Sequence, residues 1–296
     1  MSQPAAFSIR PSDADLRGEA ALRRRYRAPQ SAHTGNWNEA LEAILSHRSV
    51  RNYLARPLPE GTLELIVAAA QSAPTSSNLQ AWSVVAVEDP ARKARLAGLA
   101  AINRHIEQAP LLLVWLADLS RLRTIAKANG RAGEGLDYQE SFLLAVIDAA
   151  LAAQNAVVAI DALGLGSCYI GAMRNHPQEV ARELGLPPET VAMFGLTVGC
   201  PDLLAATDIK PRLPQTVVLH RERYQSAPHP DDLAAYNQTL RTFQQEQSMP
   251  EVDWTELMSN RIGSTAALKG RDRLGEVLKA LGFKLNRRAR LLARPR

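Results

Sequence analysis

The stretch Phe142–Leu163 limits what this 296-residue chain can fold into more than any other. It reads as one long helix stopped by Gly164-Leu165-Gly166, and its only strongly polar members are Asp148, Gln154, Asn155 and Asp161. A helix that is apolar nearly all round has to be covered, either inside a core or at an interface between subunits.

Short apolar runs offer the strands that would cover it. They are Trp82–Val87, Leu111–Ala117, Ser167–Ile170 and Val191–Val198, with one more at Val217–His220. Leu111–Ala117 is apolar on both faces, as a buried strand is. Asn36-Trp37-Asn38-Glu39 reads as a capping box opening a helix whose one face carries Trp37, Leu41, Ile44 and Leu45. Further helices are expected after Pro59, over Arg92–Ala101, around Pro177–Leu184, and as amphipathic segments over Asp231–Phe243 and Leu268–Leu281, with Trp254 and Leu257 packing between these last two. Residues 119–137 are polar with three glycines and read as a mobile excursion near a site. Four regions follow from composition: an Arg-rich extension over 1–36, a core over 37–224, a helical extension over 225–281 and a basic tail over 282–296. The run Arg23-Arg24-Arg25-Tyr26-Arg27 reads as a solvated arm.

The totals exclude several classes. With 46% hydrophobic and 22% charged residues, the chain has enough apolar surface for a sizeable core. No apolar run approaches the roughly 20 residues of a membrane span, and no signal-peptide h-region opens the chain. Six of the basic residues lie in the tail, and setting them aside from the net charge of +5 leaves the rest close to neutral, so no body-wide nucleic-acid surface is expected. Two cysteines, Cys168 and Cys200, are too few for a disulfide framework and lack metal-site spacing. Buried free thiols in a reducing cytoplasm are the expectation.

Four polar stretches stand out against this background. His47-Arg48-Ser49-Val50-Arg51 crowds two guanidiniums into five residues, which suits a phosphate or, equally, a solvated basic loop. Thr75-Ser76-Ser77-Asn78-Leu79-Gln80 is a loop of hydroxyls and amides; a capped turn is its plainer reading. Ser167–Asn175 runs from a β-prone step through a glycine turn toward a helix with Pro177 in its first turn, and such turns present backbone N–H groups. Lys210-Pro211-Arg212 holds two cations about a proline of fixed φ. There is no GxGxxG fingerprint after a strand, no Walker loop and no G-x-S-x-G context.

These stretches, in this order, resemble the nitroreductase family of FMN-dependent enzymes. The carriers are the HRS-x-R opening at His47–Arg51, the Ser/Asn loop leading to Gln80-Ala81-Trp82, Tyr169-Ile170-Gly171 with Arg174-Asn175, Gly199-Cys200-Pro201, and Lys210-Pro211-Arg212-Leu213-Pro214. The match spans roughly residues 37–224 and is similar to the NADPH-preferring, oxygen-insensitive nitroreductase and flavin reductase branch. The resemblance implies an α+β fold with a mostly antiparallel central sheet flanked by helices. It also implies an intertwined homodimer in which the strand near Val217–Leu219 crosses to the partner's sheet.

The implied FMN contacts are His47, Arg48, Ser49, Val50, Arg51, Thr75, Ser76, Ser77, Asn103, Tyr169, Ile170, Gly171, Ala172, Lys210, Pro211 and Arg212. Asn103 stands where relatives often carry the longer Gln. The flavin carries the chemistry, so no side chain need be a nucleophile or general acid, and no metal is called for. NADPH is the implied donor. Nitroaromatics, quinones or free flavin are the acceptors, reached by a ping-pong cycle. Arg241 is the candidate for the NADPH 2′-phosphate, with an ordinary solvated arginine as the alternative. Two other functions stay open: a different FMN reaction on the same fold, such as reductive dehalogenation or flavin fragmentation, and a non-catalytic module that binds through its basic ends.

Overall fold

The computed structural model describes residues 12–28, 36–101, 103–205, 208–225 and 229–286. The tail beyond Asn286 and the first eleven residues lie outside the described residues. The chain opens with helices α1 (Asp13–Tyr26), α2 (Glu39–Ser46) and α3 (Thr62–Gln71) before strand β1 (Trp82–Val87). Helices α4 (Pro90–Leu99) and α5 (Arg104–Gln108) lead to β2 (Leu111–Asp118), then α6 (Ser120–Ala128) and α7 (Gln139–Ala162). Next come β3 (Gly166–Ile170), α8 (Pro177–Leu184) and β4 (Thr190–Gly199). Helices α9 (Gln215–Val218), α10 (Pro230–Glu246), α11 (Trp254–Ile262) and α12 (Leu274–Ala280) complete the order. The described residues form two units that are discontinuous in sequence: those of 1–48 with 207–261, and those of 49–206 with 262–296.

The larger unit is a four-stranded antiparallel sheet in the order β1-β2-β4-β3, clothed by helices. Every residue of β2 is buried, because the pleat sends alternate side chains to two apolar layers. Leu111, Leu113 and Trp115 pack with Ile66 and Ala70 of α3 and with Ala149, Ala152, Ala153 and Ala156 of α7. Leu112, Val114 and Leu116 pack with Leu96 of α4, Ile106 of α5 and Val180 of α8. Each such leucine contributes about 2 kcal/mol of burial free energy. The alanines of α7 let its axis lie close to the sheet. By length and composition α7 would also pass for a membrane-spanning helix, contrary to the sequence expectation, yet its alanine face is spent in this core.

The smaller unit is helical. Helix α1 carries a capping box at Ser12 and Asp15 and packs along α2. Helix α2 is capped by Asn38, whose side chain accepts the N–H groups of Ala40 and Leu41, so the cap lies two residues later than the one read at Asn36. Trp254 at the start of α11 meets Tyr236 of α10 edge to face, 5.7 Å between ring centroids.

Three further expectations need correcting. The segment read as a strand at Val217–His220 instead begins in the single helical turn α9 (Gln215–Val218). Pro214 fixes the entry to that turn. The excursion read over 119–137 contains helix α6 and is anchored by Arg123, whose half-buried guanidinium lies between Asp137 and Glu189, each at 2.6 Å. Finally, the arginine run ending α1 is not a solvated arm: Arg25 is buried, and Arg24 and Arg27 both pair with Asp208 at 3.1 Å.

Candidate functional site

In the smaller unit the site residues of two distant stretches share one guanidinium. Arg25 donates to the carbonyls of Leu45 (2.8 Å) and His47 (2.7 Å) at the C-terminal end of α2, and to the carbonyl of Lys210 (3.2 Å). The N–H of Arg212 returns a bond to the carbonyl of Arg25 at 3.1 Å. Pro211 is fixed by the buried Tyr236 hydroxyl, which donates to its carbonyl at 3.0 Å. His47, Lys210, Pro211 and Arg212 are thus gathered around the end of α1. Arg48 leaves α2 immediately after His47, and its Nε is buried with no hydrogen-bond partner. Burial alone would raise the Asp208 carboxyl, but the Ile209 N–H and the Arg24 and Arg27 guanidiniums outweigh it and hold the group below its usual range. Lys210 and Arg212 also form part of the wall of a cavity of about 750 Å³ that is otherwise mainly apolar and aromatic.

In the larger unit Ser49–Tyr53 is laid along the end of the sheet. Ser49 bridges Ser167 of β3, and the Val50 N–H donates to the Ser167 carbonyl at 2.8 Å. A Cβ at Gly166 would lie 2.6 Å from the Val50 side chain, so only glycine lets the segment approach that closely. The Tyr53 hydroxyl donates to the Val50 carbonyl (2.7 Å) and bonds the Thr197 hydroxyl (2.8 Å), and burial raises its pKa. Arg51 projects to solvent from this stitched segment. Burial first, and then the Arg51 charge, push the His105 imidazole down. Burial raises the Cys168 thiol, opposed by the same charge.

The hydroxyl loop is held in an unusual backbone shape. Ser77, Asn78 and Gln80 have φ of 50°, 56° and 50°, the left-handed region that side-chain-bearing residues seldom occupy. The carboxylate of Asp148 in α7 holds the loop there, accepting the N–H groups of Ser76 and Ala81 at 3.1 Å each. Thr75, Ser76 and Ser77 therefore stand on a rigid turn. Asn103 donates its amide to the Ala100 carbonyl, a local bond that occupies part of its side chain. At the end of β3, Tyr169 is 39% exposed and packs edge to face on Phe194. Ile170 then leads into the single 3-10 turn Gly171–Arg174, which contains Ala172. Arg174 bonds the Met193 carbonyl, and Asn175 accepts from Arg271 at 2.9 Å.

Arg241 stands apart from the other candidates. It is paired with Asp253 at 3.2 Å and does not line the cavity. Arg25 supports the candidate residues of the smaller unit and Asp148 the hydroxyl loop of the larger, and the sequence reading gave neither a role. Arg25 was visible only as one of a run of arginines, and Asp148 only as an acid within an apolar helix.

This chain belongs to the nitroreductase family. The family profile matches residues 44–200, and that of the family's C-terminal domain matches residues 210–286. Among its relatives is an "FMN reductase (NADPH)" of Bacillus subtilis (strain 168), 35% identical over 254 residues, spanning 84% of this chain and 100% of the relative. Among solved structures, NfrA1 of B. megaterium superposes with a TM-score of 0.77 at 38% identity, covering 83% of this chain and all of the other. The NADPH:FMN oxidoreductase from Vibrio harveyi, complexed with NAD+, gives a TM-score of 0.75 at 31% identity, covering 84% and 100%.

Proposed function

We propose that this chain is an FMN-dependent oxidoreductase that takes hydride from NADPH and delivers it to nitroaromatics, quinones or free flavin in a ping-pong cycle. The observation that carries this reading is the buried, unpartnered Nε of Arg48 within the family's opening motif. A buried guanidinium nitrogen without an acceptor is costly, and a phosphate oxygen is the acceptor this motif is suited to hold. The chain's own donors are assigned to the rest of the cofactor in this reading. Arg48, Arg51, Lys210 and Arg212 offer charge for the phosphate, while Ser49, Thr75, Ser76 and Ser77 offer hydroxyls to the polyol. Tyr169–Ala172 offers backbone donors to the ring, and Arg241 is the residue proposed for the NADPH 2′-phosphate. When bound, the flavin accepts and donates the hydride, so the protein's task is to bind, orient and exclude water.

The working form proposed is a homodimer, supported by the apolar stripe that α7 leaves exposed at Leu143, Ile147 and Leu151. The buried free thiols Cys168 and Cys200 suit a cytoplasmic setting. The test is direct. The purified protein is expected to be yellow, to bleach with NADPH under anaerobic conditions and to regain colour on adding a quinone. A colourless protein that takes up no added FMN would overturn the reading, and bleaching without reoxidation by quinones or nitroaromatics would remove the acceptors.

A further inference from the structure

The end of helix α1 does something that neither family profile covers, because α1 lies before residue 44, where the first of them begins. Arg25 is 6% exposed, and among the described residues its guanidinium spreads over three backbone carbonyls drawn from two stretches far apart in sequence. Two of them, Leu45 and His47, sit at the C-terminal end of α2, where carbonyls lack intrahelical partners. The third belongs to Lys210. The bonds are reciprocated by Arg212, whose N–H donates to the Arg25 carbonyl. One turn of α1 is therefore knotted to the residue before Arg48 and to both cations of the Lys210-Pro211-Arg212 stretch. Asp208, two residues earlier, is tied to Arg24 and Arg27 on the same turn.

We propose that Arg25 is a positioning residue for the flavin phosphate: by bonding the carbonyls of His47 and Lys210 it sets Arg48 and the Lys210–Arg212 pair at the spacing that a phosphate requires. The inference rests on the FMN reading above. Only a guanidinium fits this role, because it presents five donors in a planar fork, whereas a lysine ammonium is a single point that cannot span carbonyls arriving from different directions. Arg25 acts through the backbone and does not itself touch the ligand.

The discriminating measurement compares FMN with riboflavin, which has the same ring and polyol but no phosphate. Dissociation constants are read from flavin fluorescence with apoprotein of the wild type, Arg25→Ala and Arg25→Lys, alongside thermal melting of each apoprotein. Arg25→Ala is expected to weaken FMN about tenfold or more, the equivalent of one charge-assisted bond, and to leave riboflavin within about twofold. Arg25→Lys is expected to lose FMN selectively by an intermediate factor, and it decides the matter if the alanine variant does not fold. FMN affinity unchanged in the folded variants would overturn the proposal. So would equal weakening of FMN and riboflavin, which marks a general loss of structure. Failure of the wild type itself to bind FMN would overturn the functional reading, and this inference with it, before any variant is compared.

Discussion

The carboxylate of Asp148, in the middle of the longest helix among the described residues, accepts the backbone N–H of Ser76 at 3.1 Å. Its other oxygen takes the N–H of Ala81, so one buried acid fixes both ends of the hydroxyl loop. Removing it leaves the buried Ala81 N–H and the part-buried Ser76 N–H without partners. Asp148→Ala is expected to lower stability by about 3 kcal/mol, and Asp148→Asn, which keeps one acceptor, by less. Urea unfolding followed by tryptophan fluorescence measures both; equal stability of Asp148→Ala and the wild type would show that the loop is held by something else.

Arg51→Ala is expected to cost FMN affinity by roughly 1.5–3 kcal/mol, the usual worth of a charge-assisted hydrogen bond. Its side chain is exposed, so the fold should be untouched. Flavin retained at one per chain after extensive dialysis would show that Arg51 has been assigned the wrong task.

Stability in acid should depend on Asp137. Lys284 first, and Arg123 after it, hold this carboxyl below its usual range, against a smaller opposing effect of burial. A carboxyl whose folded-state pKa is depressed stabilises the protein fully above its unfolded value of about 4, and that contribution fades as pH falls through the folded value. Melting temperature is therefore expected to fall below pH 4 more steeply in the wild type than in Asp137→Asn. The variant should be the less stable of the two at pH 7, and parallel curves would exclude Asp137 as the cause.

Leu143, Ile147 and Leu151 lie at successive i, i+4 positions of α7 and are 52%, 48% and 40% exposed. A stripe of this kind calls for a cover. Analytical ultracentrifugation at low micromolar concentration is expected to give a dimer, and Ile147→Asp a monomer. A wild-type monomer that still holds FMN would sink the dimer proposal.

Arg241→Ala is expected to raise the KM for NADPH about tenfold, from an exposed phosphate contact of roughly 1–2 kcal/mol, with NADH nearly unaffected. In the structure Arg241 pairs with Asp253, so Asp253→Asn should free the guanidinium and move NADPH affinity the other way. Equal loss with both donors would mark a structural role, and no loss with either removes Arg241 from the site.

The strands were legible because each is a short β-prone run bounded by breakers, and the two-sided burial of Leu111–Ala117 follows from its lack of polar positions. Val217–Leu219 misled because β-branched residues report a fit to a pleated surface rather than a fixed backbone preference, and here Val217 and Val218 lie in a helical turn. Helix α6 was hidden by Arg123, which reads as a surface residue until Asp137 and Glu189 are seen to enclose it. Arg25 was hidden more completely, because its acceptors among the described residues are backbone carbonyls, and a sequence carries no sign of which carbonyls lack partners.

The stretch from Ser49 to Leu54 is sewn to the sheet at several points: Val50 to Ser167, Leu54 to Cys200, Asp202 to Asn52, and the Tyr53 hydroxyl to Thr197. Its conformational entropy is surrendered when the protein folds, before any ligand arrives. A ligand that meets Arg51 thus finds its receptor already rigid and keeps more of the interaction energy as affinity. In the function proposed, flavin capture then depends also on residues, such as Thr197, that are assigned no contact with the ligand. Loss of the buried Thr197 hydroxyl would loosen the stretch and be felt at Arg51 as weaker binding.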